Sequence, residues 1–311
     1  MATQPENVPS STQNPSESQL IRRLSFGEVL IADGAAGTML MADGLAPGTP
    51  PELWNVEHPE KITALHRAYV EAGSQIILTN TFGGNRIKLG KAGLAERARE
   101  LNLAGAALAR QAAGDQAIVA GDIGPTGELM APYGPLTFEE AVVVFAEQAA
   151  ALADGGVDAI WIETMVDLDE ARAAVTAARQ VTSLPILCTM SFGPKGRTMM
   201  GVSAKQTVEG LWPLGLAAIG ANCGEGLEAV EAVLQQMHAL LPDAPLIAKP
   251  NAGLPKLVDG QAVYDTGPDL FASRTLDFIN LGARLVGACC GSSPAFISAI
   301  QQAVNHLETK R

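Results

Sequence analysis

Cysteine is scarce, with four in 311 residues and no framework of spacings that would read as a disulfide scaffold. Such usage fits a reducing compartment, so a cytoplasmic location is expected. Positive charge is also in short supply: 21 Lys and Arg against 33 Asp and Glu give a net charge of −12. Nucleic acid and anionic membrane surfaces both require clustered cations, so neither is an expected partner. Apolar runs stay well short of the roughly 20 residues that a membrane span needs. The N-terminus lacks the charged-then-apolar layout of a signal peptide. Its opening stretch, "MATQPENVPSSTQNPSESQ", is nearly free of bulky apolar side chains. Segments of that kind cannot bury enough surface to offset their ordering entropy. A disordered tail is therefore expected over residues 1–22, ahead of a single domain over 23–311.

Apolar residues make up 47% of the chain while aromatics are only 5%. The abundance of alanine and glycine suits close packing of helices on a sheet. After the tail one pattern recurs: a short apolar or β-branched run ends in Gly, Asn, Asp or Pro, and a segment of helical period follows. The runs lie at 29–37, 75–84, 117–127, 159–165, 185–193, 217–226, 245–253 and 283–292. Helices are expected at 59–72, 95–113, 138–155, 169–181, 226–241, 268–281 and 294–307. Near-continuous apolar strands alternating with amphipathic helices indicate a parallel sheet covered on both faces. Eight units in this length make a (β/α)8 TIM barrel the leading architecture, with a doubly wound open sheet second.

Polar and special residues gather at the carboxyl ends of these strands: Asp33, Thr79, Asn80, Asp122, Glu163, Asn222, Cys223, Asn251, Cys289 and Cys290. A barrel brings those ends onto one face, where active sites are built. Cys223 in "GANCGEG" and the pair in "GACCGSS" would then reach one ion. Three thiolates suit a soft or borderline cation, with zinc the default, and three protein ligands leave the fourth tetrahedral position open. Such a complex carries charge −1 and is a poor activator of water. It is better suited to binding a thiol substrate and removing its proton, since a free thiol is mostly protonated at neutral pH. The chemistry implied is S-alkylation. The alternative reading makes all three cysteines inert core thiols. Cys188, inside "PILCTMSF", is assigned to the core.

Seven stretches together resemble the homocysteine S-methyltransferases, which include betaine–homocysteine methyltransferases and the homocysteine module of cobalamin-dependent methionine synthase. They are "DGAAGT" (33–38), "ILTNTFGGNR" (77–86), "GDIGPTGEL" (121–129), "WIETM" (161–165), "GANCG" (220–224), "KPNAG" (249–253) and "GACCG" (287–291). The resemblance runs from about residue 25 to the end and implies a (β/α)8 barrel. It implies zinc held by Cys223, Cys289 and Cys290, and methyl transfer to the homocysteine sulfur to give methionine. On this likeness Glu163 and Asp33 partner the substrate ammonium, with helix-capping as their alternative role. The substrate carboxylate rests on amides of Gly34, Ala35 and Ala36 with the Thr79 hydroxyl. Asn251 fills the fourth zinc position when substrate is absent, or is a polar turn residue. Asp122 receives no chemical role. His58, His66, His238 and His306 fall in or beside helices and are expected neither as ligands nor as bases.

The methyl donor is less legible. Quaternary ammonium groups are held by aromatic cages, and the betaine enzymes this chain resembles carry tyrosines where Gly83 and Thr164 stand here. Trp54 could supply one wall, and Tyr133 and Tyr264 lie in loops of the active face. Methylcobalamin would arrive on another chain, because no histidine sits in an Asp-x-His-x-x-Gly context. Stretches shared with stand-alone betaine-type enzymes, "PELWN" and "GRTMMG", favour a small donor such as betaine, with S-methylmethionine a third option. The expected partners are homocysteine and either a small donor or a cobalamin-binding protein, and a homo-oligomer is compatible with the chain. Two competing readings remain. One is a zinc- or thiol-binding barrel without catalysis, and the other is methyl transfer to a different thiol such as coenzyme M.

Overall fold

The computed structural model describes residues 18–254, 256–258 and 261–309. Ten strands are present among them: β1 (Leu30–Ile31), β2 (Ile76–Leu78), β3 (Ile118–Ile123), β4 (Ala159–Met165), β5 (Ile186–Met190), β6 (Ala218–Cys223), β7 (Leu246–Pro250), β8 (Lys256–Val258), β9 (Gln261–Val263) and β10 (Ala283–Val286). Strands β8 and β9 form a separate antiparallel hairpin, and the other eight make one parallel sheet in the order β1-β10-β7-β6-β5-β4-β3-β2. A parallel bridge between Ala32 and Ile76 joins the two ends. Beside it the Gln75 N–H donates to the Ile31 carbonyl at 2.7 Å, and Gln75 Oε1 accepts from the Ile31 N–H at 3.1 Å. The sheet is thus the expected (β/α)8 barrel.

Alternation along each strand sorts the core into two layers. Leu30, Ile76, Ile118, Trp161, Leu187, Ile247 and Leu285 point inward and fill the barrel with Ala120, Ala159 and Ala218. Ile31, Ile77, Val119, Ile160, Ile186 and Ile219 point outward beneath the helices. Trp161 is the one large ring inside, and the alanines make room for it. Gly220 is required by close approach, because a Cβ there would lie 2.0 Å from the Ile247 carbonyl oxygen.

Six of the seven expected helices are found within one or two residues of the anticipated bounds, as at Pro59–Glu71 and Leu168–Val181; in the second, a 3-10 turn precedes Ala98–Ala113. The helix Ala204–Leu211 after β5 was not anticipated. Its start was nevertheless legible, since Ser203 and Gln206 form a capping box. Two corrections concern the ends of elements. The run at 75–84 pairs as a strand only over Ile76–Leu78 and then turns. The tail expected over 1–22 ends earlier: Gln19–Ser25 is a helix with Leu20 and Leu24 buried. Both leucines join the barrel interior, so this helix closes the amino-terminal end of the barrel. Burying an aliphatic side chain is worth about 1.5–3 kcal/mol, enough to fix a short helix that the polar composition ahead of it disguises. The remainder of the expected tail, residues 1–17, lies outside the described residues.

Candidate metal and substrate site

A cavity of about 590 Å³ opens at the carboxyl ends of the strands, lined among others by Asp33, Asp122, Glu163, Lys249, Cys223, Cys289 and Cys290. Lys249 lines it from below, its Nζ 5.1 Å from the indole centroid of the buried Trp161. The sulfurs of Cys223, Cys289 and Cys290 lie within 4.8 Å of one another. Thiolates around a tetrahedral ion at 2.3 Å would stand about 3.8 Å apart, so little movement is needed to close on one.

Local backbone geometry explains how neighbouring residues come to share the cavity. Thr164 (φ 61°) and Cys223 (φ 57°) are the two non-glycine residues with positive φ among those described. For a β-branched residue such as Thr164 that conformation is costly and must be held by its surroundings. Asn222 supplies the hold. Its Oδ1 accepts from the Thr164 N–H at 2.8 Å and from the Thr189 hydroxyl at 2.8 Å, and its Nδ2 donates to Thr164 Oγ1 at 2.7 Å. The register of β4 against β5 shifts at this point. Alternation breaks there, and Glu163 and Thr164 both line the cavity. The same break on β6 turns Cys223 inward beside Asn222. Past β10 the backbone stays tied to β7, with Cys289 N–H to the Pro250 carbonyl at 2.8 Å and Ala252 N–H to the Cys290 carbonyl at 2.9 Å.

The sulfur set fits a cation. Hydrogen bonds from Cys289 and Cys290 lower the Cys223 thiol to about 3, with Asn251 and the Gly224 N–H assisting. Those same bonds push Cys289 well up, and Cys290 to about 12. The three sulfurs thus interact directly with one another around a common point. Asn251 donates from Nδ2 to the Gly224 carbonyl at 2.8 Å, and its Oδ1 is buried without a hydrogen-bond partner. A buried orphan oxygen beside three thiols is what a metal ligand looks like before metal is added.

The expected substrate residues are brought together, but not all are free. Asp33 Oδ2 accepts from the Leu78 N–H at 2.8 Å, and Oδ1 accepts from the Lys249 ammonium at 3.2 Å. Both oxygens of Asp33 are therefore engaged by the protein. Lys249 Nζ also sits 3.5 Å from Glu163 Oε2, an oxygen with no hydrogen bond. Burial works against the Lys249 charge, yet Glu163 and Asp33 outweigh it and raise the ammonium above the ordinary lysine range. Lys249 was not singled out from the sequence. Its signal was a lysine in a strand whose alternation points it inward.

The Thr79 hydroxyl is committed too. It accepts from the Asp122 N–H at 2.9 Å and meets Thr81 Oγ1 at 2.6 Å. Thr81 in turn donates to the Asp122 carbonyl, which leaves the Thr79 proton pointing at Thr81 and no donor for a substrate carboxylate. In the turn after β1, Ala35 N–H is held by Ser292 Oγ at 3.0 Å. Gly34 and Ala36 remain as the cavity-lining amides without that engagement.

On the donor side the aromatic expectations divide. Trp54 is only 6% exposed and packs into the core, with His58 edge-on at 4.8 Å and Lys61 above it. It does not line the cavity, because the helix it opens turns its apolar face toward the barrel. Tyr133 is 76% exposed and stands away from the cavity. Tyr264 does line it, packed against Gly291, where a Cβ would strike its ring. Cys188 is buried with its thiol pushed up to about 12 by desolvation. No histidine lines the cavity among the described residues.

A family model described as homocysteine S-methyltransferase matches residues 30–304. Methionine synthase of Mycobacterium tuberculosis is 33% identical over 300 residues, 90% of this chain. That of Mycobacterium leprae is 31% identical over 96% of it. The chain spans 25% and 26% of the length of these two relatives. Among solved structures, the metallated form of the homocysteine methyltransferase MmuM from Escherichia coli superposes with a TM-score of 0.77 and 26% identity. That match covers 91% of this chain and 99% of that one. A methyltransferase from Methanosarcina mazei shares the fold at 11% identity, with a TM-score of 0.61 over 94% of this chain and 100% of its own.

Proposed function

The chain belongs to the homocysteine S-methyltransferase family, and on that premise we propose that it transfers a methyl group to the sulfur of homocysteine, yielding methionine. The observation that carries this reading is the convergence of Cys223, Cys289 and Cys290 within 4.8 Å in a cavity that also holds buried carboxylates. Zinc held by these three sulfurs would supply an open coordination position that takes the substrate sulfur and favours loss of its proton. The remaining work falls to the chain itself. Glu163 offers a buried carboxylate to the substrate ammonium, its Oε2 shared with the Lys249 ammonium 3.5 Å away. The turn from Gly34 to Ala36 offers amides to the carboxylate.

For the donor, Gly83 and Thr164 line the cavity without aromatic rings and Trp54 is turned away from it. Of the two aromatic rings among the described lining residues, Phe82 already carries the Lys88 ammonium 4.4 Å from its centroid, which leaves Tyr264 without a second wall to cage a quaternary ammonium. These features favour a methyl group delivered by a cobalamin-binding module over betaine. The test is methionine formation by zinc-loaded protein given homocysteine and, in separate reactions, betaine, S-methylmethionine or methylcobalamin. Product with methylcobalamin alone is the expected result. Product with betaine overturns the donor assignment, and no product with any of the three removes the proposed reaction.

A further inference from the structure

Three lysines line the cavity, Lys88, Lys91 and Lys249, and two of them are committed. Lys249 pairs with Asp33 and Glu163. Lys91 donates to the Gly127 carbonyl at 2.7 Å and pairs with Glu128 at 2.8 Å. Lys88 differs. Among the described residues its ammonium makes neither a hydrogen bond nor an ion pair, and it rests over the Phe82 ring, 4.4 Å from the centroid. The loop after β2 aims it there. Asn85 caps the short helix Arg86–Gly90 by accepting from the Lys88 N–H at 2.9 Å, and Asn102 Nδ2 holds the Gly84 carbonyl at 2.8 Å. The lysine stem therefore folds back over the turn that presents Phe82. Gly83 lies beneath that stem. Its N–H donates to Glu52 Oε1 at 2.5 Å, and a Cβ there would stand 2.9 Å from the same oxygen and 3.3 Å from Lys88 Cδ. Glu52 is buried. Burial pushes its carboxyl up and the Lys88 ammonium down, and each is drawn partway back by the other's charge. An aromatic face with a buried carboxylate beside it suits a cation that has no hydrogen-bond donors, such as a quaternary ammonium or a sulfonium. Here the chain's own ammonium fills that seat.

We propose that Lys88 plugs a latent cation subsite formed by Phe82 and Glu52, and so keeps small cationic methyl donors out of the cavity. The inference rests on the donor reading above and names the side chain that enforces it. Lys88 acts in two ways. Its stem takes the volume above Gly83, and its charge repels a second cation at short range in a partly desolvated cavity.

The experiment titrates tetramethylammonium, the smallest probe of such a seat, into zinc-loaded wild-type protein, Lys88→Ala and the double variant Lys88→Ala with Phe82→Leu, followed by calorimetry. K88A is expected to bind the probe roughly 5- to 30-fold more tightly than wild type, the factor that one cation–ring contact is worth. The double variant is expected to lose that gain. Equal affinity in wild type and in K88A that is folded by circular dichroism overturns the inference. A gain that survives loss of the ring overturns it too, because the cation then sits elsewhere. Should K88A fail to fold, Lys88→Ser is read by the same criteria. The probe transfers no methyl group, so a failure here leaves the donor reading to be decided by the product assays above.

Discussion

Lys249 sits 3% exposed in its side chain, 3.2 Å from Asp33 and 3.5 Å from Glu163. Removing one partner of a buried ion pair leaves an uncompensated charge and costs about 3–5 kcal/mol. Lys249→Met is expected to lower unfolding free energy by that amount at neutral pH, measured by urea denaturation. The sign of the pH dependence follows from the carboxylates. Burial, opposed by Lys249, already raises Asp33 and Glu163 above their usual values. A raised carboxyl adds stability at low pH and loses it as pH climbs through its folded value. The deficit of K249M should therefore shrink as pH falls toward the ordinary carboxylate range of about 4. A deficit that is constant with pH would refute the charge argument. At this scale the cysteines were legible, because three rare thiols each stood at a strand end and were followed closely by glycine. Lys249 was not. What distinguishes it is the pair of carboxylates that surround it, and those come from other strands.

Strand ends and caps decide how the elements present these residues. Turns after β2, β4 and β6 were readable from Asn, Thr and Gly, but the positive φ of Thr164 and Cys223 was not. For Thr164 that conformation is held by Asn222 from a strand two places away in the sheet. The helix Gln19–Ser25 was missed for a related reason, since two leucines in a polar stretch carry little periodicity. Their value comes from the open end of the barrel they fill. Leu20 is 1% exposed, so Leu20→Ala should cost about 2–5 kcal/mol as a cavity opens. Thermal unfolding followed by circular dichroism tests this, and an unchanged midpoint would mean the helix is not docked.

At the scale of the whole molecule, β7 lies between the two strands that carry the thiols. A shared ion would bind β6 to the segment after β10 across it. Zinc that binds only the folded state stabilises by mass action, so loading should raise the unfolding temperature, and a chelator should reverse the gain. Cys223→Ser should abolish both the gain and stoichiometric zinc, as read by metal analysis. Zinc retained by that variant would leave Cys289 and Cys290 as a vicinal pair with different chemistry. The eight-unit count made this architecture readable from sequence, whereas the closure of the ring was not. Ring closure involves only one bridge, Ala32 to Ile76, flanked by Gln75 below and by the Asp33 carboxylate above, where it grips the Leu78 N–H. Asp33 is thus a stitch as well as a counter-ion. A swap to asparagine would keep the thread while discarding the charge, so the mechanical and electrical duties of one side chain can be pulled apart.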